Sequence, residues 1–268
     1  MKIKLGLAQM NVDFDKEKNI QNAENLIAIL SKEGADIVVL PEMFSCPYKT
    51  DFFKTYSEKR GGNTYKRMAE AAKKNGIILF AGSIPENDDN KIYNTSFVFD
   101  KNGNEIGYHR KAHLFDISIK NGQYFKESDV LSSGDKATIV DTEFGKIGLA
   151  ICYDFRFPEL SRKMVLNGAQ LIIIPGAFNM TTGPAHWELL FRQRAVDNQV
   201  YCIGVAPARD ENGVYTSYAN SIVTSPWGDI VKRLGTEEEI AVVDIDLDKI
   251  EEVRNQLPLL KHRRTELY

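Results

Sequence analysis

Apolar and polar residues follow two different periods along the chain, and the changes of period mark its elements. Ile3 to Ala8 is a short apolar run and reads as a strand. From Asn19 to Leu30 the apolar positions are Ile20, Ala23, Leu26, Ile27 and Leu30, one face of a helix. Ile37-Val38-Val39-Leu40 is a second strand, ended by Pro41. Tyr65, Met68, Ala69 and Ala72 share one side of a helix over residues 64–74, which Gly76 stops. Ile77 to Ala81 is a strand of buried type.

Beyond that point the rhythm changes. Tyr93 to Phe99 and Glu105 to Tyr108 flank Asp100-Lys101-Asn102-Gly103, a hairpin with a turn signal. Residues 112–137 show no strong period and read as a long loop of the kind that serves a site. Lys146 to Cys152 predicts a strand, Pro158 to Asn167 a helix, Leu171 to Ile174 a strand and Pro184 to Asp197 a helix. Further strands are expected at 200–205, 219–225 and 241–245. Continuous apolar strands belong to sheets covered on both faces, and hairpins mean that those sheets are not purely parallel. A layered α/β domain, with two sheets between helices, satisfies both signals. No repeat, low-complexity segment or linker divides residues 1–268, which read as a single domain.

Composition narrows the class. With 43% hydrophobic and 26% charged residues the chain is neither disordered, nor collagen-like, nor a disulfide scaffold. A net charge of −3 argues against a nucleic-acid partner. The one dense basic stretch, Lys261-His262-Arg263-Arg264, reads as a solvated tail. Cys46, Cys152 and Cys202 form no CxxC pair and no metal spacing, which fits free thiols in a reducing compartment. No apolar run is long enough for a membrane span, and Gln9, Asn11 and Asp13 interrupt the first apolar stretch too soon for a signal peptide. A mature cytoplasmic protein is expected.

Among the residues that could carry chemistry, Cys152 has the most telling context. It follows the strand Gly148-Leu149-Ala150-Ile151 and precedes Pro158, which suits the first turn of a helix. A thiol where a buried strand turns toward a helix is held rigidly, and it is a good nucleophile once a base or cation assists it. None of the four histidines stands in a pattern that places it beside Cys152. Strand ends instead offer a carboxylate, Glu42 after Leu40-Pro41, and an amine, Lys111 after Tyr108-His109-Arg110. Alone, Cys152 would read as a small buried hydrophobe and Glu42 as a solvated loop residue.

Together the blocks Leu40-Pro41-Glu42, Arg110-Lys111-Ala112-His113-Leu114 and Ile151-Cys152-Tyr153-Asp154-Phe155-Arg156 resemble, in order and separation, the signatures of the carbon–nitrogen hydrolases of the nitrilase superfamily. A fourth residue of that family matches Glu127, in Tyr124-Phe125-Lys126-Glu127-Ser128. The resemblance runs nearly end to end and is strongest to the omega-amidase branch, above all from Pro175 to Glu188 and from Arg194 to Tyr201. It implies a four-layer αββα sandwich, assembled as a homodimer, needing no metal or organic cofactor and acting on a small-molecule substrate. It implies Cys152 as nucleophile, Glu42 as general base and Lys111 as oxyanion donor, assisted by the Tyr153 N–H. Glu127 would hold Lys111, whose ammonium is also expected to favour the Cys152 thiolate. Arg156, Phe178 and Thr182 would line the substrate pocket, with Arg156 gripping a carboxylate. The implied substrates are omega-amides such as 2-oxoglutaramate and 2-oxosuccinamate.

Other readings stay open at this point. Arg156 could instead pair with Asp154 or Glu159, and Tyr48 reads better as packing than as a pocket residue. An amidase for deaminated glutathione or a nitrilase would share the triad. A metallophosphoesterase of similar layering needs a C-terminal Asp-His pair, where this chain has Lys261-His262-Arg263. A non-catalytic binding protein for 2-oxo acids is the remaining alternative.

Overall fold

The computed structural model describes residues 1–118 and 124–267. In chain order the strands are β1 (Lys2–Gln9), β2 (Ile37–Val39), β3 (Ile78–Phe80), β4 (Ile84–Asp88), β5 (Lys91–Phe99), β6 (Glu105–Arg110), β7 (Asp116–Ser118), β8 (Tyr124–Lys126), β9 (Thr138–Thr142), β10 (Gly145–Leu149), β11 (Leu171–Pro175), β12 (Tyr201–Val205), β13 (Ile222–Thr224), β14 (Ile230–Arg233) and β15 (Glu239–Asp246). The helices are α1 (Lys16–Lys32), α2 (Thr50–Tyr56), α3 (Asn63–Asn75), α4 (Pro158–Leu166), α5 (Gly183–Asn198) and α6 (Asp248–Gln256).

One sheet runs β15-β1-β2-β3-β5-β4, with β6 on the other edge of β5. The second runs β14-β13-β12-β11-β10-β9. Each has a parallel centre, β1/β2/β3 and β10/β11/β12, flanked by antiparallel strands. The strand period of two sorts the side chains into layers. Ile3, Leu5, Leu7, Ile37 and Val39 point inward and meet Ile147, Leu149, Leu171, Ile173 and Ile203 of the other sheet. Val38 and Leu79 point outward, against Ile20, Ile27 and Leu30 of α1 and Met68 of α3. On the far side Ile172 and Ile174 meet Met164 of α4 and Trp187 and Phe191 of α5. The result is the expected order: helices, sheet, sheet, helices.

Several expectations need correction. The strand expected through Cys152 ends at Leu149, because Cys152 takes a left-handed φ of 47° that an extended chain cannot continue. The strand expected at 219–225 shrinks to Ile222–Thr224, since Ala219 and Asn220 have φ of 57° and 59°. The region 112–137 is not structureless: β7 pairs with β8, and Glu127–Asp129 forms one 3-10 turn. Residues 119–123 of that expected loop lie outside the described residues. The pattern showed neither α2, which buries only Phe53, nor α6, a charged segment that buries only Ile250 and Val253.

Candidate active site

Glu42, Lys111 and Cys152 all lie just past the carboxyl ends of strands, β2, β6 and β10 respectively. The two-sheet layering brings those ends together. The Glu42 turn fits there because Gly82 has no side chain: with φ of 45°, its Cβ would stand 2.1 Å from the Pro41 carbonyl oxygen.

Glu42, Lys111 and Glu127 are fully buried, at 0% exposure each, and form one charged network. Lys111 Nζ donates to Glu42 Oε1 and to Glu127 Oε1, both at 2.9 Å. Tyr48 OH donates to Glu127 Oε1 at 2.6 Å, within the range of a charge-assisted O–H···O bond, and lies 3.3 Å from Glu42 Oε1. Asn94 Nδ2 donates to Glu42 Oε1 at 2.8 Å, and the Ala177 N–H to Glu42 Oε2 at 2.7 Å. The Phe115 N–H fixes Glu127 Oε2 at 2.6 Å. Burial alone would discharge Lys111, but Glu127 and Glu42 outweigh it and push the ammonium's pKa up. Glu127 is therefore no surface loop residue. Tyr48 does pack, stacking on Phe125 with ring centroids 5.5 Å apart, but its hydroxyl also belongs to the network.

The Cys152 thiol is a buried neighbour of this network, close enough to feel the Glu42 and Lys111 charges. Its left-handed backbone costs a residue with a side chain on the order of 1–2 kcal/mol. Burial, then the Glu42 charge, push the thiol's pKa well up, and Lys111 only partly offsets them. Lys111 does favour the thiolate, as expected, but burial and the Glu42 charge outweigh it, which suits a thiol that hands its proton to Glu42. Alkylation of Cys152 by iodoacetamide, followed site by site with mass spectrometry, is therefore expected to accelerate about tenfold per pH unit without a plateau below pH ~9. A plateau near neutral pH would show a preformed thiolate.

Cys152, Tyr153, Arg156, Phe178, Thr182 and Tyr215 line one small, tightly closed cavity of about 10 Å³. The Arg156 guanidinium sits 4.7 Å above the Phe178 ring and donates to His186 Nδ1 at 3.0 Å. Burial holds its pKa below the usual arginine value. Among the described residues it pairs with no carboxylate: Asp154 is taken by His109 and His113 instead. Thr182 Oγ1 donates to Asn179 Oδ1 at 3.0 Å.

The family model for carbon-nitrogen hydrolases matches residues 4–255. The chain belongs to this family. Omega-amidase NIT2 of Mus musculus is 48% identical over 265 residues, covering 99% of this chain and 96% of that protein. Omega-amidase NIT2 of Homo sapiens is 45% identical, with 99% and 96% covered. The crystal structure of Saccharomyces cerevisiae Nit3, a member of branch 10 of the nitrilase superfamily, superposes with a TM-score of 0.91 at 44% identity, covering 98% of this chain and 97% of that one.

Within this carbon-nitrogen hydrolase, Tyr48, Asn94 and Tyr215 escaped the sequence reading as site residues. Asn94 sits inside the predicted hairpin, 52 positions from the carboxylate it bonds, and Tyr215 joins the cavity wall from the β12–β13 connection. Neither contact leaves a local signal. His113 bonds Asp154 and His186 bonds Arg156, so both serve as hydrogen-bonding partners in the structure.

Proposed function

We propose that this enzyme is an omega-amidase that hydrolyses small amides carrying a carboxylate at the other end, such as 2-oxoglutaramate, 2-oxosuccinamate and succinamate. The observation that carries the reading is Arg156, a guanidinium with no carboxylate partner among the described residues, in the cavity that holds the Cys152 thiol. A desolvated arginine is well matched to a carboxylate, and the amide end then meets the thiol.

In the proposed reaction the Cys152 proton passes to Glu42 as sulfur attacks the amide carbon. Lys111 has three N–H bonds, and only the 3.3 Å contact to Tyr48 is long. That proton is the one free to turn toward the tetrahedral oxyanion, beside the Tyr153 N–H. Asp154 N closes the first turn onto Ile151 O, so the Tyr153 N–H precedes no carbonyl of its own turn. Glu42 returns its proton to the departing nitrogen, which leaves as ammonia. Glu42 then takes a proton from water as it attacks the thioester, and the thiol and free acid are regenerated. Glu127 keeps Lys111 in place. No step calls on a metal or organic cofactor.

Arg156→Met is expected to raise KM for succinamate by about 10- to 100-fold with a smaller change in kcat, while hydrolysis of the neutral analogue butyramide stays within about threefold. Equal losses on both amides would remove the carboxylate reading.

The protein is further proposed to work as a homodimer in the cytoplasm. The outer face of α5 exposes Leu189 at 61% and Val196 at 37%, beside Trp227 at 54%, an apolar patch suited to a second copy. All three cysteines are free, as a reducing compartment requires. Light scattering on the eluting protein should give twice the 30.3 kDa chain mass, and Leu189→Asp should give the monomer. A monomeric wild type would end this reading.

A further inference from the structure

We propose that Asp154 is the positioning residue of this active site: it locks the turn that carries Cys152 to the backbone just past Lys111. The proposal rests on the reading of Cys152 and Lys111 as nucleophile and oxyanion donor. Asp154 is 0% exposed, yet its carboxylate is surrounded by donors. Oδ1 accepts from the His113 N–H at 2.8 Å, from His113 Nδ1 at 2.7 Å and from the Ala112 N–H at 3.2 Å. Oδ2 accepts from His109 Nε2 at 2.9 Å and from the Ile151 N–H at 3.1 Å. Ala112 and His113 directly follow Lys111, and Ile151 directly precedes Cys152. One carboxylate thus joins two segments 41 positions apart in sequence.

The same group holds the strained turn. Asp154 N donates to Ile151 O at 3.0 Å while its carboxylate accepts from Ile151 N, so residues 151–154 are closed from both sides around the left-handed Cys152. Without the clamp, Cys152 is free to relax toward ordinary φ and swing its sulfur away from Glu42. The clamp is itself immobilised. His109 is buried and its second nitrogen meets Thr138 Oγ1 at 2.9 Å on β9. His113 stacks on Phe157 with centroids 3.7 Å apart. Burial would raise the Asp154 pKa, but the hydrogen bonds from His109 and His113 and the Ile151 N–H outweigh it and hold the carboxyl below the usual range.

A residue that served only the fold would change stability and leave turnover intact in molecules that are folded. A residue that sets the sulfur-to-ammonium geometry lowers kcat more than it changes KM, because Arg156, in the same turn, is also held by His186 and, through its carbonyl, by Arg194. The test measures kcat and KM for succinamate, with circular dichroism at the assay temperature, for Asp154→Asn, His109→Ala and His109→Gln. Asp154→Asn turns an amide N–H₂ toward donors; folded protein is expected to lose about 100-fold in kcat with KM within about threefold. Should that variant not fold, the histidine pair decides. His109→Ala, which removes one donor, is expected to lose about tenfold in kcat, and His109→Gln, whose amide can still donate, to recover most of it. Folded Asp154→Asn or His109→Ala with wild-type kcat would overturn the clamp, and so would equal losses for the Ala and Gln variants. Full turnover by Cys152→Ala would instead sink the site reading on which the proposal stands.

Discussion

Cys152→Ala is expected to cut ammonia release from 2-oxoglutaramate and succinamate by about 10⁴-fold or more, because no second group can take over thioester formation. Among the described residues that line the cavity Cys152 carries the only thiol, the other candidates being the far weaker hydroxyl nucleophiles of Tyr153, Thr182 and Tyr215. Cys46 and Cys202 are also buried, but neither lines that cavity, and burial pushes both thiols far up. The change should be benign for the fold. Cys152 sits in the packed cluster between the second sheet and α5, and Ala removes one sulfur from it. The left-handed φ is as strained for Ala as for Cys, so a stability change of only about 1 kcal/mol is expected. Ammonia assay and thermal melting check the two halves together, and intact-mass spectra of wild type quenched during turnover should show the acyl adduct that the variant lacks. Cys202→Ala should keep turnover. An active Cys152→Ala would mean that water attacks the amide directly, and the role of Glu42 would have to be rebuilt.

How far these residues were legible from sequence depends on where their partners come from. That both faces of the sheets are covered was legible, because Ile37-Val38-Val39 and Leu171-Ile172-Ile173-Ile174 are apolar on both faces, while the four-layer αββα order itself came from the family resemblance. Glu42, Lys111 and Cys152 could be picked out as strand-end residues, but their joining depended on ordered blocks, since no local period records that three strand ends converge. The Ala177 N–H that fixes Glu42 lies 135 positions away and is a backbone group, which sequence cannot display at all. Asp154 was visible only as one alternative partner for Arg156, two positions away. Its true partners are His109 and His113, brought in across the sheets. The ionisation of Cys152 was legible only in part, for a related reason. A nearby ammonium can be inferred from a motif, but the burial that outweighs it exists only in the folded chain.

Glu42→Gln is the most damaging substitution expected short of the nucleophile itself, and its effect should exceed that of losing a base alone. The close hydrogen-bonding neighbours of the carboxylate among the described residues are donors: Lys111 Nζ and Asn94 Nδ2 on Oε1, and the Ala177 N–H on Oε2. A glutamine amide must aim its N–H₂ at one of these sets. Turned toward Oε1 it faces Lys111, and turned toward Oε2 it faces the Ala177 N–H. Either way a buried donor meets a donor, a cost of about 1–3 kcal/mol in stability. Lys111 loses one of its two counter-charges as well, which weakens the balance that keeps it an ammonium. Turnover is expected to fall about 10³- to 10⁵-fold, since the thiol proton no longer has an acceptor and the leaving nitrogen no longer has a donor. Because the resting group is a thiol, raising the pH should restore part of the acylation step in Glu42→Gln by ionising Cys152 directly. Deacylation gains nothing from that ionisation, so the acyl-enzyme should accumulate at high pH. Stopped-flow ammonia release at pH ~7 and ~9.5, with intact-mass detection of the adduct, reads both steps. A variant whose steady-state rate recovers fully at high pH would show that Glu42 serves only the thiol and that another group activates the water.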